Sequence, residues 1–275
     1  TEKVGNNTWY RGTLNGKTAW IHSSYLTTLK ESKTSRLGHL RKGATIYKQI
    51  GNPSTAISSE PYLNAVYYIK KQAELNDNVY YLISTQPSSE KGIIGWVKST
   101  EMSTHPHVGV DKKAKTFYIK GTGNAYSKAW GGNKDLVYNL ANFKDHVFHV
   151  NLTEKVGNNT WYRGTLNGKT AWIHSSYLTT LKESKTSRLG HLRKGATIYK
   201  QIGNPSTAIS SEPYLNAVYY IKKQAELNDN VYYLISTQPS SEKGIIGWVK
   251  STEMSTHPHV GVDKKAKTFY IKGTG

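Results

Sequence analysis

The stretch that decides the fold spans residues 8–21 and reads TWYRGTLNGKTAWI. Its two β-prone halves flank Asn15-Gly16, and Asn-Gly is the strongest short-range hairpin signal because a type I′ turn needs positive φ at both central residues. The same letters return at residues 160–173, around Asn167-Gly168. The sequence therefore predicts two copies of one β-hairpin.

Tryptophan marks a regular repeat around these hairpins. Residues Trp20, Trp96, Trp172 and Trp248 are spaced at equal intervals of 76, and residues 1–123 return unchanged after an offset of 152. A fixed period of this kind is the signature of a repeat architecture. We interpret the chain as an array of two related modules, types a and b, whose periodic tryptophans are mainly structural.

The phasing of the repeat predicts three whole modules and two pieces. We expect type-a modules at residues 35–104 and 188–256, and a type-b module at residues 107–180. The pieces at residues 1–28 and 259–275 match the C-terminal and N-terminal parts of type b. Because so short a chain cannot enclose a core alone, we expect these pieces to be completed by another chain or poorly ordered.

Additional short strands are expected before each hairpin. They lie at residues 44–47 and 66–69 in type a, and at residues 116–119 and 147–150 in type b. Several short strands per module with little helical periodicity favour a small barrel or sandwich. The predicted class is all-β, with tandem small barrels in a/b pairs.

Short linkers are expected between the modules. Residues 29–35 join type b to type a, and residues 103–107 join type a to type b. The second linker contains Pro106, which restricts φ and stiffens the joint. We therefore expect an a–b pair to form a semi-rigid unit.

Composition indicates a polyanionic partner. The chain has 37 Lys and Arg against 18 Asp and Glu, a formal charge of +19, and no cysteine. The absence of cysteine excludes disulfides and thiol chemistry. No apolar run is long enough for a transmembrane helix, so we expect no membrane insertion. A strong basic balance is informative about partners and says little about fold.

Residues 161–178 resemble a known fold. Trp161-Tyr162-Arg163, the Asn167-Gly168 hairpin and the Ser-x-Tyr turn ending at Tyr177 are similar to the C-terminal half of SH3-like domains. With Gly95-Trp96 and the paired spacing, the whole chain resembles GW modules, named for a Gly-Trp dipeptide. Type b departs from that pattern, with alanine before tryptophan at Ala19 and Ala171.

The a/b pairing and basic charge look most like the repeat regions of staphylococcal bifunctional autolysins. That resemblance implies a secreted, non-catalytic array at the cell wall or cell surface, which binds lipoteichoic or wall teichoic acid and localises a peptidoglycan hydrolase. In such proteins an amidase and a glucosaminidase lie outside the repeats. The alternative is an adhesin whose modules bind host glycosaminoglycans or matrix proteins. We expect no nucleic-acid partner.

Basic clusters are the candidate polyanion contacts, since many weak phosphate contacts give salt-dependent binding. For any single lysine, a solvated surface position is the commoner interpretation. The candidates are Arg36, Arg41, Lys42, Lys70, Lys71, Lys112, Lys113, Lys115, Lys120, Arg188, Arg193, Lys194, Lys222 and Lys223.

The SH3 comparison also implies candidate groove aromatics. Trp9 and Trp161 match a ligand-groove aromatic, Tyr80 aligns with them in type a, and Tyr25 and Tyr177 match the groove tyrosine. GW modules resemble the fold without keeping a working groove for proline peptides, so these residues are secondary candidates.

The sequence gives little support for catalysis. His105 and His107 flank Pro106, but no His-Glu-x-x-His helix and no cysteine completes a zinc site. No Gly-x-Ser-x-Gly elbow and no phosphate-cradling Gly-x-x-x-x-Gly-Lys-Ser/Thr loop appears. We therefore predict no catalytic residue, no metal and no cofactor for this chain.

Overall fold

The chain is built from short strands joined by turns and single-turn helices. The computed structural model describes residues 1–87, 91–239, 243–261 and 265–273. Within those ranges the helices are all short 3-10 helices, so the predicted all-β class is confirmed. None of the helices in the described ranges has the length and apolar character that a membrane crossing requires.

The strands fall into three successive groups. The first contains β1 (Glu2–Val4), β2 (Asn7–Leu14), β3 (Lys17–His22), β4 (Lys30–Leu40), β5 (Thr45–Tyr47), β6 (Ala56–Ser58), β7 (Val66–Leu75), β8 (Asn78–Ser84), β9 (Ile93–Lys98) and β10 (Met102–Asp111). The second contains β11 (Lys115–Ile119), β12 (Asn124–Tyr126), β13 (Leu136–Asn139), β14 (Val147–Val156), β15 (Asn159–Leu166), β16 (Lys169–His174) and β17 (Leu178–Thr179). The third contains β18 (Lys182–Leu192), β19 (Thr197–Tyr199), β20 (Ala208–Ser210), β21 (Tyr219–Leu227), β22 (Asn230–Ser236), β23 (Ile245–Lys250) and β24 (Met254–Pro258).

The 3-10 helices occupy the corners between strands. They span Ser23–Tyr25, Pro53–Thr55, Glu60–Tyr62, Ser99–Glu101, Asn133–Asp135, Leu140–Phe143, Ser175–Tyr177, Pro205–Thr207, Glu212–Tyr214 and Ser251–Glu253.

The chain divides into two compact units. The first comprises residues 1–115, 123–140 and 149–177, and the second comprises residues 116–122, 141–148 and 178–275. In the first unit, β1-β2-β3 form one sheet and the order β13-β12-β16-β15-β14-β10-β4-β7-β8-β9-β5-β6 forms another. In the second unit the order is β20-β19-β23-β22-β21-β18-β24. These sheets are open and do not close into barrels.

Both Asn-Gly hairpins form as predicted. Asn15 and Gly16 have φ of 49° and 78°, and Asn167 and Gly168 have φ of 47° and 77°. In the type-b copy, β15 and β16 pair without interruption from Trp161 opposite His174 to Leu166 opposite Lys169. The turn therefore sets the register of the strands that carry the tryptophans.

Both segments predicted to be linkers lie largely within strands. Residues 30–35 begin β4, and residues 103–107 lie within β10. Strand β10 pairs with β4 as far as Pro106 and then with β14 from His107 onward. Proline lacks the N–H that would continue a ladder, so Pro106 lies where β10 changes partner. The type-a and type-b sheets of the first unit are thus continuous through β10.

The two type-a modules have the same core. In the first, Ile46, Ile69, Ile83 and Val97 are buried together. Their counterparts 152 residues later, Ile198, Ile221, Ile235 and Val249, are equally buried. The partly buried Trp96 and Trp248 pack against smaller clusters beside these cores.

Glycine and alanine before tryptophan reflect different strand pairings. In type a, β8 and β9 shift register at Gly95, and a Cβ there would lie 2.7 Å from the carbonyl oxygen of Tyr47. In type b, Ala171 sits in a regular ladder opposite Gly164. The close backbone approach requires glycine in type a, whereas the regular ladder accepts alanine in type b.

A loop of the type-b module packs on the first type-a module. The ring of Trp130 lies edge-on to His39 and His105, with centroid separations of 4.4 and 4.7 Å. The Nε2 atom of His39 lies 3.0 Å from the Trp130 carbonyl oxygen. Trp161 and Trp172 join the apolar cluster beneath this loop, together with Leu37 and Val66 of type a. Residues 129–135 were not predicted to be an interface.

The N-terminal piece forms a three-stranded sheet that leaves core positions exposed. Trp20 is 42% exposed, whereas Trp172, its counterpart in the whole type-b module, is 6% exposed. Val4 and Leu14 are also exposed, while their counterparts Val156 and Leu166 are buried. The hairpin is therefore locally encoded, but burial of its apolar face depends on the rest of a module.

Candidate functional site

A groove with a basic lining lies on each type-a module. Basic groove 1, in the first unit, has a volume of about 260 Å³ and is lined by Thr34, Ser35, Arg36, Tyr68, Ile69, Lys70, Pro87 and His107. Basic groove 2, in the second unit, has a volume of about 690 Å³, and its lining includes Ser187, Arg188, Tyr220, Ile221, Lys222, Pro239 and His259. The same groove therefore recurs after 152 residues.

A bulge in the first strand of the module shapes each groove. In β4 the pairing with β7 shifts between Lys33 and Arg36, which leaves Thr34 and Ser35 outside the regular ladder. The Ser35 hydroxyl donates to the His107 carbonyl at 2.5 Å. The Ser187 hydroxyl makes the same bond to His259 at 2.6 Å. Bulges bend a strand and redirect its side chains, and here the bulge serine holds the backbone at the histidine.

Arginine lies on one wall of each groove. In groove 1, Arg36 donates two N–H groups to the Thr104 hydroxyl at 3.0 and 3.3 Å and is half-buried. In groove 2, Arg188 donates one N–H to Thr256 at 3.3 Å and is exposed. Both guanidinium groups keep further N–H donors for an anion, since arginine has five.

Lysine also lines each groove. The Lys70 ammonium donates to the Pro87 carbonyl, and the Lys222 ammonium donates to the Pro239 carbonyl. Burial lowers the pKa of Lys70 below its ordinary value. An ammonium carries three donors, so one carbonyl contact leaves donors available for phosphate or sulfate oxygens.

Tyrosine and histidine form the remaining surface of each groove. The rings of Tyr68 and His107 are 6.1 Å apart, and those of Tyr220 and His259 are 6.0 Å apart. Burial raises the pKa of Tyr68, and the nearby charges of Glu154 and Asp135 raise it further. The phenol of Tyr68 therefore stays neutral at physiological pH and can donate a hydrogen bond.

The grooves differ at histidine. In groove 1, Nε2 of His107 lies 2.5 Å from a carboxylate oxygen of Glu154, and both side chains are largely buried. In groove 2, no carboxylate contacts His259 within the part of the chain that the structure describes. A carboxylate therefore lies beside the histidine of groove 1.

Several predicted basic residues lie outside the grooves. Arg41, Lys42, Arg193 and Lys194 are exposed in turns after the first strand of each type-a module, and Lys112 and Lys113 are exposed after β10. Lys71 and Lys223 pair with Glu31 and Glu183 at 3.0 and 2.9 Å. Lys115 binds Asp111 at 2.8 Å and Thr153 at 2.7 Å, and Lys120 is exposed.

Other predicted basic residues line the grooves. They are Arg36, Lys70, Arg188 and Lys222, together with Lys223 in groove 2, which also pairs with Glu183.

The predicted groove aromatics occupy other places. Trp161 and Tyr80 are buried in apolar clusters, and Tyr177 is half-buried against Gly123. Trp9 and Tyr25 belong to the N-terminal segment, where Tyr25 is highly exposed. The tyrosines that line the grooves are Tyr68 and Tyr220, which were not predicted. Each of these tyrosines lies two residues before a predicted basic residue, Lys70 or Lys222. That recurrence was the sequence signal that could have identified them.

Together the two linings present cations and hydrogen-bond donors to solvent. Charge-assisted hydrogen bonds from arginine and lysine to phosphate are short and strong. Such a lining is suited to an anion with several oxygen acceptors.

Comparison with known proteins agrees with the repeat found in the sequence. A model of the GW (Gly-Tryp) dipeptide domain matches residues 1–27, 30–103, 108–179 and 182–255. The chain belongs to the GW dipeptide domain family. Apart from His107 and His259, the lining residues of both basic grooves lie in the segments matched at residues 30–103 and 182–255.

Similar regions occur in staphylococcal proteins. The chain is 23% identical over 288 residues to a bifunctional autolysin of Staphylococcus epidermidis, covering 93% of this chain and 21% of that protein. It is 19% identical over 315 residues to a bifunctional autolysin of Staphylococcus aureus, covering 97% and 24%. The GW chain thus spans about a fifth to a quarter of the length of these relatives.

A solved structure also aligns with much of the GW chain. It comes from Listeria monocytogenes and is described as an autolysin, with a TM-score of 0.35 and 16% identity, covering 82% of this chain and 97% of that one.

Proposed function

We propose that this chain is a cell-wall-targeting repeat region that binds teichoic acid through its basic grooves and localises an attached peptidoglycan hydrolase at the Gram-positive cell surface. The observation that carries the proposal is the recurrence of one cationic lining, Arg-Tyr-Lys-Pro-His, in both type-a modules. A repeated site matches a repeated ligand, and teichoic acids are chains of repeated phosphates.

Charge supports a polyanion as the ligand. The formal charge is +19, and each groove adds arginine and lysine donors suited to phosphate oxygens. Binding of this kind weakens steeply with salt, because each neutralised phosphate releases counterions. Linking two weak sites can raise overall avidity by about 10²–10⁴ when both engage one polymer.

The wall and the attached enzyme are inferred from the relatives. Proteins similar to this chain over its length are called bifunctional autolysins, and this chain matches only a fraction of their length. We assign the GW modules a non-catalytic, targeting role and place the hydrolase, an amidase or glucosaminidase, elsewhere in the parent protein. Location at the secreted cell surface follows from that role.

Cosedimentation with staphylococcal cells tests the proposal. Purified chain is mixed with cells lacking lipoteichoic acid, wall teichoic acid or both, across a salt series. We expect binding to be lost when the teichoic acid is absent from the cells, and we expect binding to intact cells to decrease steeply as the salt concentration rises. Salt-insensitive binding to bare peptidoglycan would contradict it.

A charge-matched pair of variants tests the grooves. One variant carries Arg36→Gln, Lys70→Gln, Arg188→Gln and Lys222→Gln. The control removes the same charge outside the grooves, with Arg41→Gln, Lys42→Gln, Arg193→Gln and Lys194→Gln. The groove variant should lose at least tenfold more affinity for teichoic acid than the control. Equal losses would indicate diffuse charge without a groove site.

Two further assays separate the alternatives. Heparin that binds as tightly as teichoic acid at matched salt would favour the adhesin function. Loss of wall turbidity on incubation with this chain alone would indicate hydrolysis by the chain and contradict a targeting role.

A further inference from the structure

Arg163 of the type-b module lies on the sheet face that packs against the first type-a module. It stands opposite Leu152 on β14 and opposite Trp172 on β16, and residues directly opposite in an antiparallel ladder share a face. Leu152 and Trp172 belong to the apolar cluster that contains Leu37 and Val66 of type a. The strand register therefore places the half-buried Arg163 at the junction of the two modules.

Two contacts hold the Arg163 side chain. Its Nε atom donates to the side-chain oxygen of Asn151 at 2.9 Å. Its guanidinium carbon lies 5.9 Å from the centroid of the Trp172 ring, and a cation over an indole face is attracted to the ring. The bond to Asn151 uses one of the five N–H donors of arginine, so the donors on the two Nη atoms lie outside it.

Groove 1 borders the same sheet face. The Glu154 carboxylate, which contacts His107 of groove 1, stands on β14 opposite Trp161. Trp161 and Arg163 are two residues apart on β15, so their side chains share a face. Tyr68 of groove 1 packs against the apolar cluster that contains Trp161. Groove 1 and Arg163 are therefore neighbours on one surface at the module junction.

Electrostatic effects at Tyr68 agree with this placement. Burial raises the pKa of Tyr68, the charges of Glu154 and Asp135 raise it further, and the charge of Arg163 lowers it. The interaction between two charges weakens with distance. The positive charge of Arg163 therefore reaches the surface that would receive an anion.

Cations outnumber carboxylates around groove 1. Arg36 and Lys70 line the groove, and Arg163 adds a third cation on the type-b side. Glu154 contributes a carboxylate, whose oxygen lies 2.5 Å from Nε2 of His107. A polyanion that enters groove 1 therefore meets a further cation at the module junction.

We propose that Arg163 is a further phosphate contact of groove 1, so that one teichoic-acid chain binds across the junction of the type-a and type-b modules. The inference rests on the proposed function, because it extends the same groove by one contact. One phosphate binds Arg36 and Lys70, and a later phosphate of the polymer binds the Nη donors of Arg163. Arginine suits this position because its planar group can bind phosphate through two parallel hydrogen bonds.

Ligand length separates the contact at Arg163 from the rest of groove 1. Arg188→Gln with Lys222→Gln removes the cations of groove 2 and gives the groove 1 chain. This full-length chain is titrated with glycerol phosphate and with a synthetic oligo(glycerol phosphate) in an isothermal calorimeter. Adding Arg163→Gln should weaken oligomer binding by about tenfold, because a charge-assisted bond is lost. Binding of the single phosphate should stay unchanged.

Salt dependence provides a second measure. Loss of one phosphate contact should reduce the slope of log affinity against log salt by about one. Arg163→Lys keeps the charge but loses the planar fork, so it should keep the slope and weaken oligomer binding less than glutamine does. The lysine variant also tests the inference if Arg163→Gln folds poorly.

Lys169→Gln is the matched control in the same hairpin. It removes one exposed charge three ladder positions from the pair of Arg163 and Trp172. Neither the oligomer affinity nor the salt slope should change with this substitution.

The outcomes separate the two proposals. Unchanged oligomer affinity in a folded Arg163→Gln chain, an equal loss with glycerol phosphate, or an equal loss in the Lys169→Gln chain would overturn the inference while leaving groove 1 as a site. If the chain carrying all four groove substitutions binds the oligomer as tightly as the groove 1 chain, groove 1 is not a site and the inference falls. If it binds as tightly as the unmodified chain, the proposed function fails as well.

Discussion

A carboxylate oxygen of Asp135 accepts the backbone N–H of Val66 at 2.8 Å. The bond joins the type-b loop to the first residue of β7, and Val66 is fully buried. In the second type-a module, the counterpart Val218 is 51% exposed, and strand β21 begins one residue later, at Tyr219. The type-b loop thus extends and buries the strand on which it docks.

Replacing Asp135 should destabilise the first unit. The other carboxylate oxygen of Asp135 lies 3.2 Å from the Lys128 ammonium, and the aspartate is 5% exposed. Asp135→Asn leaves that lysine without its countercharge, at a cost of about 3 kcal/mol in the free energy of unfolding. Urea denaturation measures the loss.

Asp229→Asn provides the matched control for this substitution. Asp229 pairs with Lys144 at 3.1 Å but is 88% exposed. An exposed pair contributes little, so the change should stay within about 0.5 kcal/mol. Similar losses for both variants would show that Asp135 does not anchor the interface.

The two tryptophans of the identical hairpins should respond differently to truncation. Trp172→Ala removes a buried side chain from the apolar cluster and should cost about 3–5 kcal/mol. Trp20→Ala removes the same side chain from the exposed N-terminal sheet and should cost less than about 1 kcal/mol. Thermal and urea unfolding compare the two, and equal losses would imply that the N-terminal hairpin is buried in solution.

The glycine before tryptophan in type a should not tolerate a methyl group. Gly95→Ala places Cβ 2.7 Å from both Ile46 and the Tyr47 carbonyl oxygen. Overpacking of this kind costs about 1–3 kcal/mol, measurable by urea unfolding. Gly12→Ala, where the added atom meets nothing within 4 Å, should have almost no effect. If Gly95→Ala left the free energy of unfolding unchanged, the strands could move apart at this point without loss of stability.

Acidification should destabilise the first unit through His174. Burial lowers the pKa of His174 below its ordinary value of 6.5, so the unfolded state binds a proton more readily than the folded state. The stability contribution is present above pH 6.5 and is lost as pH falls through the folded pKa. The melting temperature should therefore fall between pH 7.5 and pH 5.

His174→Gln isolates this contribution. The variant should show a smaller decrease in melting temperature over the same pH range than the unmodified chain. His191→Gln, which removes an exposed histidine from the second unit, controls for the loss of one titrating group. An unchanged decrease in the His174 variant would assign the acid sensitivity to other groups.

Local features of the fold were predictable from sequence. The Asn15-Gly16 and Asn167-Gly168 turns specify hairpins because only a few residues adopt the required positive φ, and both form. The connections were not predictable in the same way. Residues 103–107 were predicted to be a linker, but residues 103–106 pair with β4, more than 60 positions away in the sequence.

The candidate site was predictable in part. Charge density alone selected Arg36, Lys70, Arg188 and Lys222, which line the grooves. Tyr68 was missed because its place in the groove depends on the bulge in β4, which only the strand register reveals. Likewise, nothing in the local sequence indicated that Glu154 lies beside His107, since the two residues meet through the pairing of β10 with β14.

The change of partner at Pro106 has a mechanical consequence. Strand β10 is bonded to β4 along its first half and to β14 along its second half. Ladder hydrogen bonds run perpendicular to their strands, so tension along β10 loads several of them together in shear and does not open them one at a time. The junction of the type-a and type-b modules should therefore resist stretching along β10.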